Sequence, residues 1–554
     1  MSMRSSACTM LFALSVFIIF SLWGCGGGGS SSGSGDILGS DVIRDSQVAT
    51  DSSAQDIQRD TEYQDIEDIK DIIDSGDTGE DIEADAEVSY DIADISGDMS
   101  DTESSDVIED ISDAGLDVSD ISDCEIIDPK HIWSKSFGGS DTDRGLSVYV
   151  DKSENVYITG GFSSSAIDFG GGALTGGGVF LAKFSCDGNH MWSKKFGSDD
   201  GDYGNKVIAD NSGNIYLAGF YGSRNISFGG EIFNNAGKDD IFLAKFDNNG
   251  NHIWSKSFGG DLWDSNTSLF IDISNNIYIT GYFDSSSINF GGELLKNAGF
   301  YDIYLAKFDS NGNHIWSKSF GGSYYETVSL VSVDMSGNLF LAGNFASHTI
   351  DFGGNILTNN GNGSDDIFLA KFDSNGNHIW SKSFGDKYSD EVYSIFIDTS
   401  GNVYITGHIL SNEKVDFGGG TLTGGGFIAK FDGDGNYIWG KNLGFSIGKS
   451  IFIDNSGNIY VGGDFYGSNI DLGGGVLQNA GKDDIFLAKF DNNGNHIWSR
   501  RFGGSDYDGL SSISVDSSGN VYGTGYFQSM NIDFGGCPLP NAGGEDIFFI
   551  KYAP

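Results

Sequence analysis

Apolar and polar positions alternate along residues 129–554 as groups of four short apolar runs separated by turn residues. In the unit that follows Trp254 the runs are LFIDI, IYITGYF, DIYLAKFD and HIWSKSF, with Asn, Gly, Asp and Ser between them. Short runs rich in β-branched and aromatic residues, bounded in this way, predict antiparallel strands joined by tight turns. The third run is apolar on both faces, so we expect a neighbouring sheet to cover each face.

A tryptophan in the fourth run sets the period of the array. Consecutive tryptophans are 59, 62, 62, 64, 59 and 59 residues apart, and each of the four run types occurs seven times. A period of this size is typical of propellers, solenoids and other repeat arrays. The seven tryptophans are Trp133, Trp192, Trp254, Trp316, Trp380, Trp439 and Trp498.

The order of the runs at the two ends of the array predicts a closed ring. The array begins with a fourth-type strand, 131–137, and ends with a third-type strand, 547–552. In an open array both would be unpaired edges, which promote aggregation. We therefore predict an all-β fold, a seven-bladed β-propeller of four-stranded antiparallel blades, closed by an N-terminal strand that completes the last blade.

The segment before the propeller predicts export and anchoring. Residues 1–24 have a basic start and a short apolar core, as in a signal peptide. At their end the chain reads Leu22-Trp23-Gly24-Cys25, which resembles the lipobox of bacterial lipoproteins. The resemblance implies lipidation of Cys25, the first residue after the signal peptide, and a location in the cell envelope, at the outer membrane or cell surface. The alternative is an ordinary secretory signal with an accidental cysteine.

Residues 25–128 form a Gly/Ser spacer followed by an acidic segment. Residues 36–128 hold 32 Asp and Glu against three Lys and Arg, within a chain of net charge −48. Like charges and scarce apolar residues predict a disordered stalk. The acidity argues against a nucleic-acid partner, which demands a basic footprint.

The repeat units resemble the bacterial β-propeller repeat called SBBP, on stretches such as WSKSFGGSDTDRGLSVYVDKSENVYITGGFSSSAIDFGG. The resemblance covers all seven units of residues 131–554 and implies an exported or surface protein of a family without a defined activity. AKFDSNGNHIW is also similar to the docking motif of quinoprotein propellers, which implies that the seven tryptophans pack between blades. Quinone use is not implied.

The most variable segments follow each tryptophan strand, and by propeller geometry they surround one mouth of the central channel. Carboxylates beside aromatic rings are what a sugar-binding site uses, so these segments are a candidate ligand rim. The alternative is that the acids cap turns and the rings fill gaps between blades. The candidate rim residues are Asp143, Asp202, Tyr203, Trp263, Asp264, Tyr324, Tyr325, Glu326, Tyr388, Glu391, Tyr507 and Asp508.

No motif predicts catalysis or a resident cofactor. The stretch GFSIGKS around Ser446 matches nucleophile patterns, but it bridges two strands where those patterns need a helix. Turns such as DNSGN are read as plain hairpins, with a calcium site as the weaker interpretation, and no other cofactor is evident. Three cysteines, Cys124, Cys186 and Cys537, leave the disulfide pairing open.

These observations favour a non-enzymatic, lipid-anchored propeller that acts as a binding or interaction scaffold, with glycans as one candidate ligand. We expect it to be monomeric and held at a membrane through its lipid. The alternative is an exported carbohydrate-active or other enzyme with its site in the loops at the channel mouth.

Overall fold

The computed structural model describes residues 128, 130–198, 201–361 and 363–554. For residues 411–413 it describes the backbone only. The predicted signal peptide, Cys25, Cys124 and almost all of the predicted stalk lie outside the described residues. Within the described part, no helix is long and apolar enough to span a bilayer.

Seven four-stranded antiparallel sheets form the blades, as the sequence predicts. We name the strands of a blade inner, second, third and outer, in sheet order. Blades 1 to 4 comprise Asp143–Val150, Val156–Phe162, Gly178–Phe184 and His190–Phe196; Tyr203–Ala209, Ile215–Tyr221, Asp240–Phe246 and His252–Phe258; Asp264–Ile271, Ile277–Phe283, Asp302–Phe308 and His314–Phe320; and Glu326–Val333, Leu339–Phe345, Asp366–Phe372 and His378–Phe384. Blades 5 to 7 comprise Asp390–Ile397, Val403–Asp416, Thr421–Phe431 and Tyr437–Asn442; Ser446–Ile453, Ile459–Phe465, Asp484–Phe490 and His496–Phe502; and Asp508–Val515, Val521–Phe527, Asp546–Tyr552 and His131–Phe137.

A second, smaller hairpin interrupts the blade between its second and third strands, where the sequence predicts only a Gly-rich loop. In blade 5 this hairpin merges with the long second and third strands. In the other blades it is a separate two-stranded ribbon. The six ribbons pair Ala166–Ile167 with Leu174–Thr175, Asn225–Ser227 with Ile232–Asn234, Ser287–Ile288 with Leu295–Lys296, Thr349–Ile350 with Leu357–Thr358, Asn469–Asp471 with Val476–Gln478, and Asn531–Ile532 with Leu539–Pro540.

The tight turns form because an aspartate binds the main chain of its own hairpin. In the turn of blade 6, Asp454 Oδ1 accepts hydrogen bonds from the N–H groups of Ser456 and Asn458, at 2.9 and 2.8 Å. Its Oδ2 accepts from Asn458 Nδ2 at 2.8 Å and from the Tyr460 hydroxyl at 3.2 Å. Gly457 adopts a φ of 81°, which a residue with a Cβ rarely does. Both carboxylate oxygens therefore serve the turn itself.

The ring closes between the first and last strands of the propeller, as the sequence predicts. His131–Phe137 pairs antiparallel with Asp546–Tyr552, in a register that sets Lys135 opposite Phe549. The seam beside this blade is filled by residues from both ends of the array, including Ile158, Phe549 and Tyr522. The closing blade therefore has the same four strands as the other six.

Apolar cores lie between neighbouring blades, one at each of the seven seams. The inner strands contact one another in a ring, which places them around the central channel. Each inner strand also carries a β-bulge near its start, for example between Gly145 and Ser147. A bulge redirects the residues next to it.

Candidate functional site

One end of the propeller carries two kinds of connection side by side. Rim loops join the outer strand of a blade to the inner strand of the next blade, and rim hairpins join the second and third strands. We call this end the loop face. It contains every described member of the candidate rim set.

The acids of the candidate rim fasten rim loops to rim hairpins. Asp143 shows the arrangement: its Oδ2 accepts from Gly139 N in the rim loop at 2.9 Å and from Ser164 Oγ at 2.7 Å. Its Oδ1 accepts from Ser164 N at 3.1 Å. The side chain is fully buried, and burial raises the pKa of this carboxyl. Asp143 therefore stabilises the loop and does not face a ligand.

The same arrangement recurs at four further seams. Buried carboxylates accept from a rim-loop glycine or serine N–H and from a rim-hairpin serine at Asp202, Asp264, Glu326 and Asp508. This placement corresponds to the alternative considered from the sequence, in which the acids cap turns.

Blade 5 departs from the candidate set by one residue. The buried carboxylate at the start of its inner strand is Asp390, whose Oδ2 accepts from Asp386 N at 2.9 Å. Glu391 follows it, half-buried, and accepts a hydrogen bond from the Tyr393 hydroxyl. Burial, followed by the nearby carboxylates, raises the pKa of Asp390 to about 8. The sequence could not separate these adjacent acids, because only the strand register decides which one turns inward.

Blade 6 has a serine where the other blades have this acid. Ser446 is fully buried in the inner strand, and its hydroxyl donates to Leu443 O at 3.1 Å. Lys449, the partner in the nucleophile pattern, forms an ion pair with Asp464. Ser446 therefore lies within a strand and not at the strand-to-helix turn that the nucleophile pattern needs.

A second ring of aspartates, which the sequence analysis missed, begins the third strands. Asp240, for example, accepts from Ala236 N at 2.9 Å through Oδ2, while its buried Oδ1 has no hydrogen-bond partner among the described residues. Burial raises the pKa of Asp240 to about 6. The repeated NAG-x-x-D spacing could have revealed four of its five members, all except Asp366. Its members are Asp240, Asp302, Asp366, Asp484 and Asp546.

Four of the six rings of the candidate rim are exposed on the loop face. Exposed fractions are 49% for Tyr324, 41% for Tyr325, 46% for Tyr388 and 39% for Tyr507. Tyr203 and Trp263 are half-buried. The structure therefore separates the two halves of the candidate set, burying most of the acids and presenting most of the rings.

The inner strands of blades 1 and 2 each carry a basic side chain. Arg144 pairs with Glu545 of blade 7, with 2.7 Å between Nη2 and Oε1, and lies 4.8 Å from the Tyr526 ring centroid. Lys206 is half-buried by surface area, and burial lowers its pKa to about 8. These residues break the sevenfold repeat, because the equivalent positions in other blades hold different side chains.

Two carboxyl groups at the same end have a pKa near neutrality. Burial, then the neighbouring Asp202, raises the pKa of Asp239 to about 7. Burial, then Glu391, does the same for Asp365. Such values suit proton transfer at neutral pH. Neither residue belongs to a set of three metal-binding side chains, since the described residues contain no such set.

The repeated tryptophans contact the next blade around the ring. The Trp380 indole N–H donates to Gly433 O of blade 5 at 3.3 Å, and Lys371 Nζ donates to the same carbonyl at 2.8 Å. Trp133, Trp192, Trp254 and Trp316 donate likewise to the turn between third and outer strands of the following blade. Trp439 packs against Gly494 in that turn.

Trp498 differs from the five tryptophans that donate to the next blade: its side chain is only 6% exposed, and its buried indole N–H has no partner in the described part of the chain. In blade 7 the third and outer strands come from opposite ends of the array, so no hairpin joins them to supply the carbonyl. Lys130 Nζ lies 5.6 Å from the Trp498 ring centroid instead.

The repeated histidines and the described cysteines carry no shared site. His252 Nε2 lies 3.0 Å from Ser255 Oγ, and the same pair recurs three residues apart in the outer strands of blades 1, 3, 4, 6 and 7. Cys186 is a free thiol and Cys537 is disulfide-bonded.

Comparison with known families supports the repeat. Residues 379–413 match the family model SBBP, described as a beta-propeller repeat. The resemblance seen in the sequence is confirmed for this unit.

Among curated proteins, the chain is similar to an uncharacterized WD repeat-containing protein of Acanthamoeba polyphaga mimivirus, at 21% identity over 481 residues. The match covers 66% of this chain and 34% of that protein. A match to the regulatory protein FlaEY of Caulobacter vibrioides is 24% identical over 176 residues, covering 29% of this chain and 18% of the relative. The chain thus spans about a third or less of these relatives.

Solved structures with similar folds include two WD40 propellers. The WD40 domain of Neurospora crassa Pan2 is 9% identical, with a TM-score of 0.41, and the match covers 77% of this chain and 98% of that one. The WD40 domain of Doa1 is 10% identical, also with a TM-score of 0.41, covering 76% and 96%.

Proposed function

We propose that this protein is a non-enzymatic interaction scaffold that binds a partner protein through its loop face. The supporting observation is that the acids and the aromatic rings of that face have different roles. Buried carboxylates such as Asp143 and Asp264 fix the loops, while Tyr324 and Tyr325 are presented to solvent. Tyrosine is enriched at protein interfaces because a rigid ring gives a large contact area at little entropic cost.

The buried acids weaken the case for a glycan ligand. Sugar recognition by the candidate rim needs carboxylates that accept hydroxyl groups, and five of the six are already saturated by loop N–H and serine groups. A protein partner does not need them, since rings and main-chain groups suffice for contact.

Site-specific photo-crosslinking in the producing cell tests the proposal. A photoreactive phenylalanine is placed at Tyr324 or Phe445 on the loop face, and at Ile253 or Ile315 on outer strands as matched controls, all of them exposed side chains. We expect a discrete crosslinked protein from the loop-face positions alone. Equal products from both sets, or none from either, would contradict the proposal.

We also propose that the propeller is lipid-anchored through Cys25 in the cell envelope. Support comes from the lipobox resemblance and the acidic spacer that follows it. Cys25→Ser is expected to move the protein from the membrane fraction to the soluble exported fraction. A variant with unchanged membrane association would remove this part of the proposal.

An exported enzyme with its site at the loop face is the second candidate, favoured by the neutral-range pKa of Asp239 and Asp365. A glycoside and ester substrate panel, run on the wild type and on Asp239→Asn and Asp365→Asn, distinguishes it. Turnover that either change abolishes would establish an enzyme, and the absence of turnover favours the scaffold.

A further inference from the structure

We propose that the seam between blades 3 and 4 binds an arginine-bearing segment of a partner protein, on an aromatic site formed by Phe300, Tyr324 and Tyr325. This inference rests on the proposed scaffold function and names the surface and the chemistry of its partner. The three rings are 49%, 49% and 41% exposed.

The rings form one continuous cluster. Phe300 stacks on Tyr325 with centroids 4.9 Å apart and planes inclined by 18°, and its centroid lies 6.4 Å from that of Tyr324. Tyr301 meets Tyr325 edge-on at 5.1 Å and is backed by Tyr282 at 4.8 Å. The exposed rings are therefore held by half-buried Tyr301 and buried Tyr282 and do not need to reorganise on binding.

Equivalent seams show what such a ring binds within this protein. At the seam of blades 2 and 3, Lys238 Nζ lies 5.5 Å from the Trp263 ring centroid. At the seam of blades 6 and 7, Lys482 Nζ lies 4.5 Å from the Tyr507 centroid. Both lysines stand in the rim hairpin at NAGK, and both rings sit in the next rim loop, so each ring has an internal cation on its face.

At the seam of blades 3 and 4, no lysine or arginine of the described residues lies over the rings. Its hairpin reads NAGF, so Phe300 occupies the place of the lysine, and its rim loop GGSYYE contains no Lys or Arg. The bridge between Tyr301 and Tyr325 matches those between Asp239 and Trp263 and between Asp483 and Tyr507, which shows that these positions are equivalent. This seam therefore presents rings without the charge that covers them elsewhere.

The surrounding charge favours a cationic partner. Asp284 lies near this cluster, since its charge raises the pKa of Tyr301, for which burial is the larger cause. Asp261 stands close enough to Asp284 to raise its pKa further, after burial. Among the described residues, no lysine or arginine forms an ion pair with either acid. A guanidinium suits this site best, because it stacks flat on a ring while its edge binds carboxylates.

The test is a binding titration of the full-length protein with a fluorescein-labelled peptide of alternating arginine and serine, followed by fluorescence anisotropy. Peptides with citrulline or lysine in place of arginine serve as ligand controls. Phe300→Lys recreates the internal lysine of the other seams, and Met530→Lys, at a residue 81% exposed on the same face, adds the same charge elsewhere. Tyr324→Ala removes a ring of the site, and Tyr388→Ala removes an exposed ring that Lys387 covers at 5.0 Å.

We expect Phe300→Lys and Tyr324→Ala to weaken binding of the arginine peptide about tenfold. Met530→Lys and Tyr388→Ala should leave it unchanged, and the citrulline peptide should bind weakly to every variant. Attraction of the peptide to the acidic N-terminal segment contributes equally to all variants. The test therefore compares the affinity of each variant with that of the wild type. Equal affinity across the variants, or no binding to the wild type, would overturn the aromatic cation site.

Failure of this inference is distinguishable from failure of the scaffold function. If Phe300→Lys abolishes the loop-face crosslink while the arginine peptide does not bind, the scaffold stands and the partner's chemistry is different. If no loop-face position yields a crosslink, the scaffold function itself fails.

Discussion

A carboxylate buried against main-chain donors behaves differently from one in water, and Asp390 is the extreme case on the loop face. Its Oδ1 is buried with no partner among the described residues. The neutral acid is therefore favoured in the folded state, and the folded pKa, about 8, lies above that of the unfolded chain. Stability linked to this group is fully present at acidic pH and is lost as pH rises through the range from 4 to 8.

Asp390→Asn should therefore stabilise the protein more at pH 8 than at pH 5, by a difference of at least about 1 kcal/mol. The amide keeps an acceptor for Asp386 N without a charge to desolvate. Thermal unfolding at several pH values measures the effect, with Asp434→Asn at an exposed turn residue as the control. A wild-type unfolding temperature that rises between pH 5 and pH 8 would contradict this reasoning.

Trp380 makes an indole hydrogen bond that Trp498 does not make among the described residues, so we expect replacement by phenylalanine to reduce stability by different amounts at the two positions. Replacing Trp380 by Phe removes the donor to Gly433 O, whereas Trp498→Phe removes a buried N–H that has no partner among the described residues. The second substitution should cost about 1 kcal/mol less. Denaturant midpoints of the two variants test this, and equal losses would show that packing alone decides.

At the scale of strands, hydrogen bonds from side chains join neighbouring inner strands around the channel. Five seams use a serine whose hydroxyl accepts from the next inner strand, as when Ser512 Oγ accepts from Val148 N at 3.2 Å. The other four serines are Ser147, Ser268, Ser394 and Ser450. Blades 2 and 4 have Lys206 and Leu330 there, and the preceding residues, Asn205 and Ser329, donate to a carbonyl of the next blade instead.

Removing one of these serines should loosen a seam. Ser512→Ala leaves the Val148 N–H buried without its acceptor, which is expected to cost about 1 to 2 kcal/mol. Ser511→Ala, one residue earlier and half-buried, is the matched control and should cost less than half as much. Chemical denaturation compares the two, and identical losses would mean that the inter-strand bond contributes nothing.

Strands and turns could be predicted from the sequence because their signals are local. Short apolar runs such as IYITGYF and the Asp-x-x-Gly-Asn turns between them specify each hairpin within about ten residues. The rim hairpins were missed because strands of two or three residues are too short to show alternation. The sequence left the role of the Asp202 and Asp264 carboxylates open between ligand binding and turn capping, since the outcome depends on serines of the rim hairpin.

At the scale of the molecule, the ring depends on the strand that joins its two ends. Deleting residues 1–137 removes the outer strand of blade 7, with Trp133 and its bond to Cys186 O. Compared with deletion of 1–127, this should lower the unfolding temperature by at least about 5 °C. Neither variant keeps Cys8, Cys25 or Cys124, so the difference reports the strand and not the disulfide at Cys537. Equal unfolding temperatures would argue against closure through this strand.

The sequence by itself determined the number of blades, their strand order and the closure of the ring. These features follow from the repeat period and from the order of the strand types, and both can be read directly from the linear sequence. Only the tertiary structure decided which acids are buried, that the Trp498 indole N–H meets no acceptor among the described residues, and that Phe300 stands where other seams have a lysine over a ring. Each of these depends on contacts between residues of neighbouring blades. Because the repeat gives all seven seams similar sequences, the sequence alone does not show which residues face each other across a seam.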